Sequence, residues 1–366
     1  MKILHIEVYA YSLTYAHGEY VMSGGRTAQA QDSTLVRVIS DDGRDGWGEV
    51  CTLGGTYLPA FAGSARAAIA ELAPALIGLD PANIGGINQA MDALLLGHAH
   101  AKSPIDIACW DLLGQHADLP LSVLLGGTLN PSFPLYEAVP LGIPQDMVDF
   151  VQRRSAAGIN AFQVKIGDNP RQDAERVRAV SEAAPTDAVI IADANGGWTL
   201  QDALIAVGLL ADLPIYLEQP CRDHHDNAQL RDVNRLPFIL DESVGTVADL
   251  YRAKYEARAG SVNLKLSRLG GLTATRRMRD SAVDLGLSVC LEDTWGGDVT
   301  TAAVAHLAAS MPTSKLLTTS FFNDWTNEHV AGYQPRSEKG IGSAPKGAGL
   351  GIKVNASELA APIFSV

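Results

Sequence analysis

The sequence predicts an α/β protein, a (β/α)8-type barrel carrying an N-terminal α+β capping domain that the C-terminal segment completes. Three observations carry this prediction. From about residue 134 onward, eight short apolar runs alternate with helix-spaced segments. Three consecutive runs end in a carboxylate, Asp193, Glu218 and Asp241, at intervals of 25 and 23 residues, which is the length of one βα unit. Residues 1–130 read differently, as alternating extended segments followed by helices, while 321–366 is rich in Gly and Pro and is expected to pack back on the N-terminal unit. An open doubly wound sheet would need a Gly-rich phosphate loop at its first helix, and none stands there.

In the capping domain, Ile3–Tyr11 and Thr34–Ser40 alternate as strands, D-D-G at 41–43 marks a turn, and Gly46–Val50 begins the next strand. Two irregular pieces are Ala16–Gln31, long for a hairpin as functional lids often are, and Cys51–Pro59. Ala60–Leu76 and Asn83–Leu96 have helical spacing, and Ser103–His116 reads as a helix with Ser103 as N-cap and Pro104 at the first position. The barrel, 131–320, is read with strands at Leu135–Val139, Ala161–Ile166, Ala188–Ala192, Ile215–Leu217, Phe238–Leu240, Val262–Leu266, Ser288–Leu291 and Leu316–Thr319. Helices fill the gaps, among them Gln145–Ala157, Arg171–Glu182 and Thr300–Ser310.

Composition narrows the function classes. The chain has 366 residues, 47% hydrophobic and 19% charged, enough for a large core and too apolar for disorder. A net charge of −13 argues against nucleic acid or an anionic membrane as partner. Cys51, Cys109, Cys221 and Cys290 form no C-x-x-C pair and read as buried free thiols of a reduced protein. The opening M-K-I-L-H-I-E-V alternates like a strand and lacks a signal peptide's apolar stretch, and no run of 18 apolar residues exists, so a cytoplasmic protein without a membrane span is expected.

Parallel strands in βα units put their C-terminal ends on one face, so Asp193, Glu218 and Asp241 should converge at one mouth. Three carboxylates in a low-dielectric site repel one another unless a cation joins them, and hard oxygen ligands suit Mg²⁺. The competing reading, that each acid caps the helix after its strand, accounts for any one of them better than for all three. Lys165 and Lys265 end two further apolar strands, which is expensive unless they are paired or used. Each has a structural reading as a salt bridge. As bases they would stand across the mouth from one another, one on each side of a substrate. A carboxylate bound to Mg²⁺ has an acidified α-proton; one lysine removes it and the metal stabilises the enediolate. Reprotonation from the other side gives epimerisation, and loss of a β-substituent gives dehydration.

Lys165, Asp193-Ala-Asn195, Glu218-Gln-Pro, Asp241-Glu-Ser and Lys265-x-x-Arg-x-Gly-Gly resemble the signature of the enolase superfamily, in its muconate-lactonizing/mandelate-racemase branch, with support from Ala101–Gly114 and Gly46-Trp-Gly-Glu49. The resemblance spans the whole chain. It implies Asp193, Glu218 and Asp241 as Mg²⁺ ligands, Lys165 and Lys265 as the acid/base pair, a capping domain whose loops Ala16–Gln31 and Cys51–Pro59 close over the substrate, a small-molecule substrate, and homo-oligomers, octamers among them. Two departures stand out. Gln163 replaces the first lysine of a Lys-x-Lys pair, and strand eight lacks the Asp-x-Asp of dipeptide epimerases, which disfavours a dipeptide.

Glu292, Asp293 and Trp295 after strand seven, Tyr57 on the second loop, Phe321 after strand eight and Asn195 beside Asp193 are placed as substrate contacts. Acids with aromatic faces suit a cationic amine, with Asp293 as its partner. M-S-G-G-R at 22–26, G-G-T-Y at 54–57 and E-D-T-W-G-G-D at 292–298 look similar to members acting on proline derivatives, cis-3-hydroxy-L-proline dehydratases and proline-betaine 2-epimerases. A quaternary betaine calls for a fuller cage with a Trp after strand eight. Phe321 and Phe322 stand there, which favours the secondary amine and hence an amino acid dehydratase, with the 2-epimerase as alternative. A cycloisomerase or sugar-acid dehydratase fits less well, since sugar acids would call for a His-Asp pair where Asp293 and Lys265 stand. From another class the rival is a non-catalytic barrel that only binds, against which both lysines argue. His98 and His100 are not expected to hold a metal, the His224-His225 pair is expected at the surface, and Gly270-Gly271 is read as close packing at a helix start.

Overall fold

The chain opens, in a computed structural model that describes residues 1–366, with β1 (Ile3–Thr14), β2 (Tyr20–Met22), β3 (Arg26–Ala28), β4 (Ala30–Ser40) and β5 (Asp45–Cys51). Strands β1, β4 and β5 form an antiparallel sheet in which Val8 lies opposite Val36 and Leu35 opposite Glu49. The loop expected over Ala16–Gln31 contains a hairpin, β2 on β3. Helices α1 (Ala62–Leu72), α2 (Ile84–Leu94) and α3 (Ala99–Ala117) follow, then the single turn α4 (Leu121–Leu124).

Helix α3 lies so close on β5 that a Cβ on Gly48 would come within 1.8 Å of the Pro104 carbonyl oxygen, and one on Gly46 within 2.2 Å of that of Ala108. The glycines of G-W-G-E are therefore a packing requirement. Ser103 is not an N-cap and Pro104 not a first helical residue. Gly97 and His98, at φ 70° and 52°, turn the chain into the helix a full turn earlier and leave Pro104 inside it.

The barrel strands are β6 (Phe133–Pro134), a short antiparallel piece, and then β7 (Glu137–Val139), β8 (Ala161–Lys165), β9 (Val189–Asp193), β10 (Tyr216–Glu218), β11 (Phe238–Leu240), β12 (Ser261–Lys265), β13 (Ser288–Glu292) and β14 (Leu316–Thr319). From β7 to β14 each strand pairs with the next in parallel. The Tyr136 N–H donates to the Thr319 carbonyl at 2.9 Å, joining the first strand's approach to the end of the last. Between them run α5 (Pro144–Ala156), α6 (Pro170–Ala183), α7 (Leu200–Leu210), α8 (His224–Gln229), α9 (Val247–Tyr255), α10 (Leu266–Leu269), α11 (Leu272–Asp284) and α12 (Asp298–Ala309). No helix follows β14; a 3₁₀ turn at Phe322–Trp325 takes its place. The C-terminal segment adds β15 (Ile341–Gly342), paired with β6, and β16 (Phe364–Ser365), paired with β1 at the edge of the capping sheet.

The capping domain is bound to the barrel by buried acids. Glu49 on β5 accepts the N–H groups of Gly297 and Thr300 at the start of α12, both at 2.9 Å. Asp106 on α3 accepts the Thr273 N–H at 2.9 Å, and a Cβ on Gly271 would lie 2.5 Å from the Asp106 carboxylate. All four cysteines are unpaired and buried. No helix is long and apolar enough to cross a membrane.

Candidate active site

The C-terminal strand ends are fixed by their own side chains. Asn195 turns into the left-handed region at φ 45° and donates its N–H to Asp193 Oδ1 at 2.8 Å, which orients that acid. Its Nδ2 donates to Glu242 Oε1 at 3.0 Å. Gln219, at φ 35°, sends its Oε1 across to accept the Asp241 N–H at 2.8 Å and the Ser243 hydroxyl at 3.1 Å. Thus the Gln of E-Q-P and the Ser of D-E-S tie two neighbouring carboxylate strands in register.

Asp193, Glu218 and Asp241 are wholly buried, and Lys165 and Lys265 are each 5% exposed. Lys165 Nζ lies 2.5 Å from Asp193 Oδ2. Lys265 Nζ lies 2.8 Å from Asp241 Oδ2 and 3.1 Å from Glu292 Oε1, and Arg268 binds Asp241 Oδ1 at 2.7 Å. Glu218 accepts amide donors on both oxygens, Gln163 Nε2 at 2.9 Å and Asn263 Nδ2 at 3.1 Å; Asn263 also donates to Glu292 at 2.7 Å. Gln163, where the Lys-x-Lys pattern would place a cation, thus serves as a neutral clamp on Glu218.

The mouth holds more negative than positive charge: Asp193, Glu218, Asp241, Glu242, Glu292 and Asp293 face Lys165, Lys265 and Arg268. Burial and the neighbouring Asp193 and Asp241 push Glu218 up to about 8. Burial and the same two neighbours push Glu242 up to about 7. For Asp241 burial works upward, but Arg268 and Lys265 outweigh it and hold the carboxyl down at about 2. Burial works downward on Lys165, and Asp193 overrides it, so its ammonium form is favoured. Burial, then Asp293, raises Glu292 well above the usual range.

A divalent cation fits this donor set. Glu242 Oε2 and Asn195 Oδ1 are buried with no hydrogen-bond partner, and the acids exceed the bases beside them. No three of these groups close round a common point as they stand. Each of the three strand-end acids is held by a lysine, arginine or amide, so taking up a cation requires Lys165 and Lys265 to release Asp193 and Asp241.

Above the lysines lies a narrow chamber with about 20 Å³ of free volume. One wall is polar: Gln163, Lys165, Asn195, Lys265, Glu292 and Asp293. The rest of the lining is mainly aromatic: Tyr20, Tyr57, Tyr136, Trp295, Phe322 and Trp325. Phe322 and Trp325 meet edge to face at 5.0 Å, and Trp295 lies 5.8 Å from each. Tyr20 and Met22 come from the β2–β3 hairpin and Leu53 and Tyr57 from the second loop, so both capping loops reach the chamber.

Three expectations require correction. Phe321 does not line the chamber; it points into the core against Phe133, because one residue along an extended strand end reverses the side chain, and Phe322 faces inward instead. A tryptophan does follow strand eight: the 3₁₀ turn carries Trp325 back over the chamber, a reach that spacing alone does not reveal. His224 is buried, 3.1 Å from Glu256, and only His225 is exposed. Asp293 lines the chamber, but its carboxylate already accepts from the Ser267 N–H, the Ser267 hydroxyl and the Thr294 N–H. Tyr136, which the reading of the sequence missed, follows from strand alternation: it precedes β7, faces inward and donates to Glu292.

Known proteins share this architecture. Residues 6–126 match the model of the mandelate racemase/muconate lactonizing enzyme N-terminal domain, and 146–358 that of the enolase C-terminal domain-like family. The chain is 40% identical, over its full length and 98% of the relative, to a cis-3-hydroxy-L-proline dehydratase of Roseibium aggregatum. It is 29% identical to an N-succinyl-L-Arg/Lys racemase of Bacillus cereus over 85% of each chain. Among solved structures, a mandelate racemase/muconate lactonizing enzyme of Roseovarius nubinhibens ISM, complexed with magnesium, superposes with a TM-score of 0.95 at 36% identity over the whole of both chains.

Proposed function

We propose, from the premise that the chain belongs to the mandelate racemase/muconate lactonizing enzyme family of the enolase superfamily, that it dehydrates cis-3-hydroxy-L-proline to a pyrroline-2-carboxylate. The observation that carries the reading is the pair of buried lysines, on β8 and β12, that line one chamber from strands four apart in an eight-strand ring. The full-length likeness to a relative named for that reaction supports the substrate.

Asp193, Glu218 and Asp241 would hold Mg²⁺, which supplies the Lewis acidity that makes the α-proton of a bound carboxylate removable. One lysine, as the free amine, takes that proton. The C2–H electrons form the C2–C3 double bond as the C3–O bond breaks, and the other lysine's ammonium protonates the departing hydroxyl, so water leaves. In cis-3-hydroxy-L-proline the carboxylate and hydroxyl share a face, so the α-hydrogen and the hydroxyl lie on opposite faces. Lysines on opposite sides serve one each. The two capping loops exclude water, and the aromatic wall faces the ring nitrogen, which is cationic in the zwitterion.

Trp325 favours a second reading, 2-epimerisation of a proline betaine, because Trp295, Phe322 and Trp325 make the fuller cage that a quaternary nitrogen calls for. Proton NMR in D₂O with Mg²⁺ separates the two. Loss of the Cα signal of cis-3-hydroxy-L-proline with new vinylic or cyclic-imine resonances is the expected result. Exchange of the betaine Cα proton without elimination would favour epimerisation, and retention of the Cα proton in every proline compound would overturn both substrates.

A further inference from the structure

Lys265 is held partly by the capping domain, through a chain that crosses both loops. Its Nζ donates to the Tyr57 hydroxyl at 2.8 Å and stands 5.3 Å from the centre of the Tyr57 ring. That hydroxyl lies 3.5 Å from Asp241 Oδ2. The Arg26 guanidinium, from the β2–β3 hairpin of the other loop, lies 5.6 Å from the centre of the same ring. Arg26 is itself fixed, its Nε donating to the Ser23 carbonyl at 2.9 Å and its terminal nitrogen to the Ser23 hydroxyl at 2.7 Å. Ser23 in turn donates to the Ala194 carbonyl at 3.3 Å, and the Gly24 N–H to Asp168 at 3.0 Å, which seats the hairpin on the barrel loops after β8 and β9. Lys165 is paired with Asp193 inside the barrel and has Tyr20 of the hairpin, not Tyr57, beside it.

We propose that Arg26 is a positioning residue that acts through the Tyr57 hydroxyl on Lys265 and not on Lys165, so that closure of both capping loops completes one half of the acid/base pair. The inference rests on the lysine reading above. A planar guanidinium over a phenol ring restrains the ring's tilt, and the ring's tilt decides where the hydroxyl stands. A lysine on a four-carbon stem has many positions open to it, and misplacing a proton-transferring nitrogen by about 1 Å costs on the order of a hundredfold in rate. Asp241 and Glu292 hold the Lys265 ammonium from the barrel side and Tyr57 completes its aim from the lid, whereas nothing links Arg26 to Lys165 through Tyr57.

The test separates the two lysines by hydrogen exchange. Each lysine faces one side of Cα, so in D₂O with Mg²⁺ the Lys165→Met variant retains only exchange driven by Lys265, and Lys265→Met only that driven by Lys165. Adding Arg26→Met to each background should slow the Lys265-driven exchange by about tenfold or more and leave the Lys165-driven exchange within about twofold. Arg26→Lys, which keeps a cation over the ring, should recover part of the loss. In a Tyr57→Phe background, already slowed, Arg26→Met should have no further effect on the Lys265-driven rate. Equal slowing of both exchanges would make Arg26 only a closing element and overturn the proposal, as would no slowing of either. Exchange that survives both lysine substitutions together would instead sink the lysine reading itself.

Discussion

Two sets of buried carboxylates in this protein differ in what faces them. At the seam where the cap meets the barrel and the C-terminal segment, Glu49, Asp106 and Asp111 are at most 5% exposed and have no cation among their hydrogen-bond partners. Neutral donors surround them: Glu49 takes the Tyr11 and Ser33 hydroxyls besides two backbone N–H groups of α12. Asp106 takes Asn88 and Thr273, and Asp111 the N–H groups of Trp47 and Leu350. At the mouth, acids face acids, lysines supply the nearest donors, and two buried oxygens have no partner. Burial raises Asp111 to about 6 and Glu218 to about 8, so depth alone does not distinguish the sets. An acid surrounded by N–H groups is held by the fold; acids crowded on one another are arranged for a ligand that brings positive charge.

The largest effect that would sharpen this contrast is on turnover. Lys165→Met and Lys265→Met should each lower it by about a thousandfold or more, while Mg²⁺, by compensating the acids left unpaired, keeps each variant folded. Proton NMR assays paired with thermal unfolding check this; comparable losses in stability would mean that the lysines serve the fold as the seam acids do. The converse substitution, Glu49→Ala, leaves two N–H groups and two hydroxyls without their acceptor. It should cost about 3 kcal/mol or more in urea unfolding.

A third test uses pH. Glu218 has its folded value raised from 4.5 to about 8, so the stability it contributes is fully present below about pH 4.5 and lost as pH rises through about 8. Chelator-treated protein should therefore lose stability as pH rises from about 4.5 to about 8, by about 1 kcal/mol or more. Glu218→Gln should reduce that slope, leaving the part that Glu242 and Glu292 contribute, and Mg²⁺ should flatten it. A slope unchanged by Glu218→Gln would place the pH dependence elsewhere. The smallest effect concerns the aromatic wall: Trp325→Leu should weaken binding of proline betaine by about 3- to 30-fold, the size of a partly desolvated cation–π contact, as read by calorimetry.

The mouth was legible because each of its acids ends an apolar run, a pattern that period and chemistry both mark. Asp193, Glu218, Asp241, Lys165 and Lys265 meet there without any long-range guess. What escaped were features decided by backbone turns beyond the strand period. Ser103-Pro104 mimics a helix start, yet Gly97-His98 begins the helix earlier. Phe321 and Phe322 differ by one residue and point to opposite sides, and Trp325 returns over the chamber through a 3₁₀ turn. Arg26 stood out only as the last residue of M-S-G-G-R, without a role, because its contact with Tyr57 joins two loops that only the tertiary fold brings together.

The central claim is that the surplus negative charge at the barrel mouth is a cation site on which the lysines' chemistry depends. Calorimetric titration of Mg²⁺ into chelator-stripped protein tests it most directly. The account predicts one equivalent bound by the native chain and no measurable binding by Asp193→Asn, while Glu49→Gln, at the seam, still binds. Mg²⁺ binding that is unaffected by Asp193→Asn, or none in the native chain, would contradict it.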